Sequence, residues 1–560
     1  MKRLKAILFS IYLPLICLAQ APDIEWQNTI GGSLSDVLYS IKKTSDGGYI
    51  LGGYSNSSNT GDKTEINIGS DDYWPVKLDG NGNVQWENTI GGSGQDRLFS
   101  IQQTMDGGLI LGGYSASGIS VDKTENLIGA NDYWIIKLDS IGIIQWQNTI
   151  GGTADEILSI AQTLSGGYIL SGTSSSGISG DKTEANKGDV DYWIIELDSM
   201  GNVTWDKTIG GSNSDGLWGV FIKQTFDGGY IVAGSSNSSI SGDKTETSYG
   251  GYDYWVLKLD GGGNIQWQNT IGGNLDDALL DIEQTIDGGY ILGGYSASDV
   301  SGDKSEPSIG LFGYLDFWVV KLDSFGEIIW QNTIGGDYND ALSCLYQTFD
   351  GGYILGGVSI SGISGDKTEA NFGQNDYWVV KLNTSGNIVW DKTLGGNSID
   401  VLLSLDQTFT GGYVLGGYSF SEISGNKTVV NIGDADFWVV KIFPDSCVTT
   451  NVFYVDNDSD GFGNIADTIT ACIPPDGYVT NSFDCNDSNS TIHIGALEIC
   501  NSLDDNCNGE IDDGLLMFTL YFDTDMDGYG NVFSDTLTCY FEISGYLSDS
   551  TDCNDLNNLI

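Results

Sequence analysis

A unit of about sixty residues is repeated seven times between Trp26 and Trp438, and this repetition limits the fold more than any other feature. Each unit carries two tryptophans, one in a W-Q-N-T-I-G-G-like stretch and one in a D-Y-W-V-V-K-L-D-like stretch. The first tryptophans are Trp26, Trp86, Trp146, Trp205, Trp267, Trp330 and Trp390, and the second are Trp74, Trp134, Trp193, Trp255, Trp318, Trp378 and Trp438. Successive copies lie 59 to 63 residues apart, which indicates an array of like modules.

One unit reads as four short β-strands. The stretch Asp132–Asp139 alternates its side chains between two faces, which is typical of a strand. Three further β-rich runs, Ile143–Ile150, Glu156–Thr163 and Gly167–Thr173, are each closed by Gly, Asp or Ser. Four strands and no convincing helix in each unit predict one small sheet per repeat.

Seven such sheets predict an all-β fold, a seven-bladed β-propeller closed by a strand clasp. The array opens on the strand of Trp26 without a preceding D-Y-W strand, and it finishes on the strand Asp436–Lys441 without a following W-Q-N-T strand. We expect these two leftover strands to complete one blade, because a closed ring removes its exposed edges. The alternative fold is a β-solenoid, which also shows long Gly-rich periods.

The repeated words D-G-G-Y-I-L-G-G-Y-S and S-G-D-K-T-E give the array a family resemblance. Over about residues 24–443 the chain resembles the secreted D-G-G-Y-I-L-x-G repeat proteins of gliding bacteria and their relatives, the Bacteroidota. The resemblance implies an exported, propeller-like array that a C-terminal sorting domain often carries to the cell surface. It implies no defined reaction.

The N-terminus has the pattern of a secretory signal peptide. Lys2, Arg3 and Lys5 precede an apolar run over 6–18, and a small-residue cleavage site follows at 19–21. The run is too short for the alternative reading, a membrane span. We therefore expect residues 1–21 to be removed, no membrane insertion, and an extracellular or cell-surface location.

Charge separates the array from the rest of the chain. The formal net charge is −53, so nucleic acid and anionic membranes are unlikely partners. From residue 445 to residue 560 there are twenty-two Asp and Glu residues and no Lys or Arg. These observations predict a propeller over 22–443, a first acidic, Cys-rich metal-binding repeat over 444–514, and a second repeat, truncated, over 515–560.

The acidic region carries two loops of the pattern D-x-D-x-D-G-x-G. Carboxylates at alternate positions followed by glycine let a loop curl its oxygens around one hard cation. The predicted ligands are Asp456, Asp458 and Asp460 with Asp467 at the twelfth position, and Asp523, Asp525 and Asp527. A third, looser loop offers Asp504, Asn506, Asn508 and Asp512. Oxygen-only ligands favour Ca²⁺, while the alternative is a set of solvated Asp-Gly turns without metal.

The same region resembles the MopE-type metal-binding repeat through the words around Asp484-Cys485-Asn486-Asp487, Glu498-Ile499-Cys500-Asn501 and Asp505–Asp512. The family's name carries an association with copper, so copper is a second cofactor that the resemblance implies. If the units are alike, the resemblance implies disulfides between Cys472 and Cys485, between Cys500 and Cys507, and between Cys539 and Cys553. His493, the one histidine, is expected to be incidental to any metal, and the chain is expected to end inside a repeat.

The array itself offers weaker signals of a site. The D-K-T-E loops could bind cations or a glycan, but a turn whose Lys and Glu stay solvated is the favoured reading. The Asp two residues before each second tryptophan is expected to tie a loop to its sheet. Symmetry breaks at Trp218 and at an insertion over 307–315 that contains Phe312, so Trp218 and Phe312 are the candidates for a ligand pocket.

These features predict a non-enzymatic, secreted or cell-surface protein for binding or adhesion, with a calcium-stabilised acidic C-terminal region. The expected partner is an extracellular glycan or protein, and the chain is expected to be a monomer. The alternative is a polysaccharide-active hydrolase or lyase on a propeller scaffold. Against the alternative, the array has no histidine and no motif of a common catalytic site.

Overall fold

The structure is a computed structural model that describes residues 20–153, 156–445, 451–471, 477–515, 517–524, 526, 529–539, 544 and 546–551. Cys447, Cys472, Cys553, Asp525 and Asp527 lie outside these ranges, as does most of the predicted signal peptide. The described residues contain strands, turns and bends but no helix, so the all-β prediction is confirmed for them. These ranges accordingly contain no helix that is long and apolar enough to cross a membrane.

Twenty-eight strands build the repeat array. In chain order they are β1 (Ile24–Ile30), β2 (Asp36–Lys43), β3 (Tyr49–Ser55), β4 (Asp72–Leu78), β5 (Val84–Glu87), β6 (Asp96–Gln103), β7 (Leu109–Ser115), β8 (Asp132–Leu138), β9 (Ile144–Ile150), β10 (Glu156–Gln162), β11 (Tyr168–Ser174), β12 (Asp191–Leu197), β13 (Val203–Ile209) and β14 (Asp215–Gln224). The others are β15 (Tyr230–Ser236), β16 (Asp253–Leu259), β17 (Ile265–Ile271), β18 (Asp277–Gln284), β19 (Tyr290–Ser296), β20 (Asp316–Leu322), β21 (Ile328–Ile334), β22 (Asp340–Gln347), β23 (Tyr353–Ser359), β24 (Asp376–Leu382), β25 (Ile388–Leu394), β26 (Asp400–Gln407), β27 (Tyr413–Ser419) and β28 (Asp436–Ile442).

These strands form four-stranded antiparallel sheets in which chain neighbours pair. We number them sheet 1 (β2–β5), sheet 2 (β6–β9), sheet 3 (β10–β13), sheet 4 (β14–β17), sheet 5 (β18–β21), sheet 6 (β22–β25) and sheet 7 (β26–β28 with β1). Sheet 7 joins the first strand of the array to the last three. In it β1 pairs antiparallel with β28, so that Trp26 lies opposite Lys441 and Ile30 opposite Phe437.

The core lies between neighbouring sheets and repeats from one junction to the next. The second tryptophan of a sheet is fully buried, and an aromatic ring from the preceding sheet packs on it with centroids 4.7 to 5.2 Å apart. The pairs are Tyr73–Trp134, Tyr133–Trp193, Tyr192–Trp255, Tyr254–Trp318, Phe317–Trp378, Tyr377–Trp438 and Phe437–Trp74. Because each sheet buries both faces against its neighbours, the strand that carries the second tryptophan is buried along its whole length rather than alternating between buried and exposed residues.

The D-K-T-E loops correct one prediction, because their lysines are buried rather than solvated. Lys123 is 1% exposed, lies 5.1 Å from the ring centroid of Trp134 and donates to the hydroxyl of Thr149. Glu125 accepts a hydrogen bond from the backbone N–H of Thr149 at 2.6 Å. The loop therefore fastens the outermost strand to its own sheet through a cation–π contact and paired hydrogen bonds.

The aspartate before each second tryptophan ties loop to sheet, as predicted. Asp253 is fully buried, and its Oδ2 accepts the backbone N–H of Tyr249 at 2.6 Å. Its Oδ1 packs against Gly272, where a Cβ atom would lie 1.9 Å away. The glycine of this T-I-G-G turn is thus required by a buried carboxylate.

The acidic region forms two small three-stranded sheets. One contains β29 (Asn451–Val455), β30 (Asn464–Ala471) and β31 (Tyr478–Val479), and the other contains β32 (Phe518–Phe522), β33 (Asp535–Thr538) and β34 (Tyr546–Leu547). In both sheets the first strand lies in the centre. The two units therefore share one topology, as their sequence similarity suggests.

The disulfides differ from the expected pairing. Cys485 is bonded to Cys507, and Cys500 is bonded to Cys539. The expectation assumed that each unit forms disulfides only within itself. In the structure Cys485 lies beside the loop at Asp504, with its Sγ 3.8 Å from the carbonyl oxygen of Asp504, and this brings Cys485 to Cys507. Cys500 instead links the first unit to the second.

The buried aspartates make stability depend on pH in a testable way. Burial above all, and then the charge of Asp277, raise the pKa of Asp253 to about 7 from its ordinary 3.8. A carboxyl with a raised folded-state pKa stabilises the fold fully below 3.8 and loses that contribution as the pH rises through about 7. Lowering the pH from about 7.5 to about 5 should therefore raise the free energy of unfolding, and Asp253→Asn should reduce this gain by about 2 kcal/mol. Equal gains in calorimetry of both proteins would contradict the assignment.

Candidate metal centre

The first acidic loop leads from β29 into β30 and is shaped by hydrogen bonds to its own backbone. The two oxygens of Asp456 accept the N–H groups of Asp460 and Gly461 at 3.2 and 3.1 Å. Ser459 and Gly461 have φ values of 65° and 91°, in the left-handed region. This turn draws the alternate side chains inward, so that Asp456, Asp458 and Asp460 each offer an oxygen within 4.8 Å of the others.

Several oxygens of this cluster are buried without a hydrogen-bond partner. They are both oxygens of Asp458, Oδ2 of Asp460 and Oδ2 of Asp484. Buried carboxylate oxygens in this condition are costly unless a cation or ordered water satisfies them. Burial first, and then the charge of Asp458, raise the pKa of Asp460 to about 6. The cluster is therefore under a repulsion that a bound cation would relieve.

Asp484 lies beside this cluster and is a candidate ligand that sequence reasoning missed. It is 4% exposed, its backbone N–H bonds to the carbonyl of Gly463 at 3.1 Å, and its pKa is raised by burial and by the charges of Asp458 and Asp487. Nearby, Asp487 accepts both the backbone and side-chain N–H of Asn457. The D-C-N-D motif is visible in the sequence, but only the fold shows that this motif lies against a loop more than twenty residues earlier in the chain.

Asp467, predicted as the twelfth-position ligand, does not join the cluster. The loop ends where β30 begins at Asn464, and Asp467 is an exposed residue of that strand. A strand carries the chain away from the loop, unlike the continuing curl of an EF-hand. Asp484, from a separate segment, lies by the cluster instead.

The other two predicted loops are described in part. In the second loop Asp523 is half-buried, and Met526 has a φ of 61°, matching Ser459 at the same position of the motif. In the third loop Asp504 accepts the N–H groups of Asn508 and Gly509, just as Asp456 does in the first loop. The oxygens of the other predicted ligands, Asn506, Asn508 and Asp512, also accept backbone N–H groups of the region. Beside this loop, Oε2 of Glu498 is buried without a partner.

His493 packs on the metal loop through its ring. It stacks on Phe462 with centroids 4.3 Å apart and an angle of 7°, and its Nδ1 lies 3.1 Å from the carbonyl oxygen of Ile494. The converging donors around Asp458 are thus carboxylate oxygens. That donor set fits a hard cation such as Ca²⁺ better than copper, which prefers imidazole or sulfur.

Of the two predicted pocket residues, the structure brings one to a cavity. Trp218 is half-buried and lines a cavity of about 1020 Å³ between the innermost strands of the sheets. Phe312 is 70% exposed and does not line this cavity or the neighbouring one of about 380 Å³. The 307–315 insertion extends a surface turn, so its aromatic ring faces solvent.

Comparison with known proteins supports the metal-binding part directly. The Cu-binding MopE family model, described as a "Putative metal-binding motif", matches residues 484–513. This range begins at Asp484 and contains the third loop and Glu498. The MopE-type motif is therefore present, although it covers a small part of the chain.

The array resembles known proteins more distantly. The regulatory protein FlaEY of Caulobacter vibrioides is 24% identical over 302 residues, which cover 50% of this chain and 30% of that protein. Among solved structures, BBS1N in complex with ARL6DN is 10% identical with a TM-score of 0.40, covering 77% of this chain and 99% of its own. BamB from Moraxella catarrhalis is 14% identical with a TM-score of 0.33, covering 76% of this chain and all of its own. The repeated four-stranded sheets and the packing between them are what indicate a propeller-like fold.

The structure places Asp484, which the sequence did not predict as a ligand, beside the cluster, and it places Asp467, which the sequence did predict, on an exposed strand. Asp484→Asn should weaken the tightest Ca²⁺ binding roughly ten- to a hundredfold, because it removes a buried charge from the cluster. Asp467→Asn, the matched control, removes the same charge from an exposed strand and should leave that affinity unchanged. Calorimetric titration of the calcium-stripped mature chain measures both. Equal effects of the two substitutions would show that general acidity, and not this site, binds the ion.

Proposed function

We propose that the chain is an exported, non-enzymatic binding protein: a closed seven-bladed propeller followed by an acidic region that Ca²⁺ stabilises. The observation that carries the calcium assignment is the cluster of Asp456, Asp458 and Asp460, with buried and unpartnered oxygens on Asp458, Asp460 and the neighbouring Asp484. A cation would compensate these neighbouring carboxylates, and their all-oxygen composition favours Ca²⁺. The predicted secretory signal and the disulfides support a setting outside the cytosol, where calcium is abundant.

Closure of the ring is supported by the regularity of the sheet contacts. The Phe437–Trp74 contact between sheets 7 and 1 has a centroid distance of 4.8 Å, within the range of the other junctions. Gly416 of β27 likewise approaches Leu38 and Ile41 of β2 as closely as Gly52 of β3 approaches Ile101 of β6. Because the junction between sheets 7 and 1 repeats the other junctions, a closed ring would leave neither sheet with an uncovered face.

A binding role is supported by how the array uses its acids. The repeated aspartates accept backbone N–H groups or pair with lysines, as Asp350 does with Lys381 at 2.9 Å. These contacts recur from blade to blade, as structural residues do. The resemblance to exported Bacteroidota repeat proteins adds a cell-surface setting, with an extracellular glycan or protein as the partner.

Closure predicts that β1 is indispensable. Deleting residues 22–31 should expose the edge of β28, lower the unfolding midpoint by roughly 5 to 10 °C and cause self-association. Deleting only residues 20–22 is the control and should have little effect. Calorimetry and light scattering test this. An unchanged midpoint with a monomeric protein would favour an open array.

The non-enzymatic role predicts retention without turnover. The mature chain should be retained on a glycan array, and a reducing-sugar assay with the retained glycans should detect no product. Chelation followed by restored Ca²⁺ should lower and then raise the unfolding midpoint, because the folded state binds the ion. Release of product with repeated turnover would instead establish the hydrolase or lyase alternative.

A further inference from the structure

The cavity in the middle of the array has the size and position of a ligand site. Its volume is about 1020 Å³, and the innermost strands β2, β6, β10, β14, β18, β22 and β26 all contribute to its wall. Small-molecule sites usually measure about 300 to 1,000 Å³. There is therefore room for a ligand of several sugar or amino-acid residues.

One layer of the wall departs from the repeat. Each inner strand is followed by a threonine, and this layer is formed by the residue two positions before that threonine. In the seven copies it is Lys42, Gln102, Ala161, Lys223, Glu283, Tyr346 and Asp406. The glutamine position next to this layer is nearly constant, and its side chains bond neighbouring sheets; Gln103, for example, accepts the N–H of Ser45 at 2.8 Å. Other lining positions, such as those of Tyr39 and Asp281, also vary between the copies, so variable side chains line the cavity on a constant frame, which is the pattern of a binding site on a repeat scaffold.

Two cations in this layer lack an ionic partner. Among the ion pairs and hydrogen bonds of the described residues, none involves the Nζ atom of Lys42 or Lys223, whereas Lys43 lies 3.7 Å from Asp406. Burial lowers the pKa of Lys223, but the charges of Asp281 and Glu283 outweigh it and hold that pKa above its usual value. Neither Nζ atom has a direct ion pair or hydrogen bond among the described residues, so both ammonium groups are open to an anionic group of a ligand, in addition to the longer-range charges of Asp281 and Glu283.

The acids of the wall already bind its backbone. Asp281 accepts the N–H of Leu345, and Glu283 accepts the N–H of Gln347, each at 3.0 Å. These bonds cap edge groups that an extended peptide would otherwise use to add a strand. A ligand is therefore recognised by side chains, which disfavours a peptide bound through its main chain.

Aromatic rings supply apolar faces. Trp218 lies in β14, where the pairing register shifts between Asp215 and Val220 and Gly219 has a φ of 122°. This irregularity puts the ring at the cavity wall, 4.9 Å from that of Tyr252. Tyr39 of sheet 1 and Phe99 of sheet 2 line the same cavity. Flat rings beside serine hydroxyls and glutamine amides suit the mixed apolar and hydroxyl surface of a sugar.

The acidic region borders one end of the cavity. Phe462 and Ile494 contribute to its lining, and the ring of Phe483 packs on Phe226 with centroids 5.3 Å apart. Phe226 follows the end of β14, whereas Trp218 lies near its beginning. A ligand would thus enter at the end of the cavity near Trp218.

We propose that this cavity binds an oligosaccharide that carries a carboxylate, with Lys42 and Lys223 on the carboxylate and Trp218 on a sugar face. The inference rests on the proposed binding function and names its site and ligand class.

Calorimetry of the mature chain with a galacturonate trisaccharide and with the matching neutral galactose trisaccharide tests it. The acidic sugar should bind and the neutral one should bind at least tenfold more weakly. Lys223→Gln and Lys42→Gln should each weaken the acidic sugar about tenfold, since a charge-assisted hydrogen bond is lost. Glutamine already occupies this layer at Gln102, so the fold should tolerate both changes.

The matched control is Lys392→Asn, which removes the same charge from β25 at a position where other copies carry asparagine. It should leave the affinity unchanged, and Trp218→Ala with an unaltered melting midpoint should weaken both sugars. Equal affinity of Lys223→Gln and the parent protein, or equal binding of both sugars, would overturn the proposal. Failure of the acidic sugar to bind a chain that still binds Ca²⁺ would overturn this site alone, whereas loss of Ca²⁺ binding as well would overturn the proposed function.

Discussion

The contact between an aromatic ring of one sheet and the buried tryptophan of the next is the interaction on which the array depends. A four-stranded sheet of this size has two apolar faces and cannot bury either alone. In four of the junctions the tyrosine also donates its hydroxyl to the backbone carbonyl of the neighbouring tryptophan, as Tyr73 does to Trp134 at 2.9 Å. The same side chain thus gives both apolar contact area and a directional bond, which fixes the angle between successive sheets.

This packing leaves the innermost strand of each sheet with an unpaired edge, and the chain satisfies that edge with side chains. Gln103, Gln162 and their equivalents accept backbone N–H groups of the preceding sheet. The arrangement avoids the exposed strand edges that promote aggregation. It also keeps the innermost strands of neighbouring sheets apart, because side chains rather than backbone hydrogen bonds connect them. The space between these strands therefore stays open.

Electrostatics divides the molecule into two parts with different needs. In the array most buried charges are compensated locally by lysines, serines or backbone N–H groups, so each sheet is nearly self-sufficient. The acidic region has no lysine or arginine, and its buried carboxylates face one another. A bound cation would supply that compensation, so the cluster would act as a folding element as well as a site.

The sequence alone determined the number of repeats, their strands, the loop carboxylates and the position of the charge boundary, because each of these is written in local spacing. It did not determine which distant segments meet. The burial of the D-K-T-E lysines, the Cys485–Cys507 and Cys500–Cys539 bonds, the place of Asp484 beside Asp458, and the meeting of Lys42 with Lys223 in one cavity were decided by tertiary structure. The physical reason is that alternation and turn chemistry act over a few residues, whereas burial and compensation of charge depend on neighbours brought together from tens to hundreds of residues away.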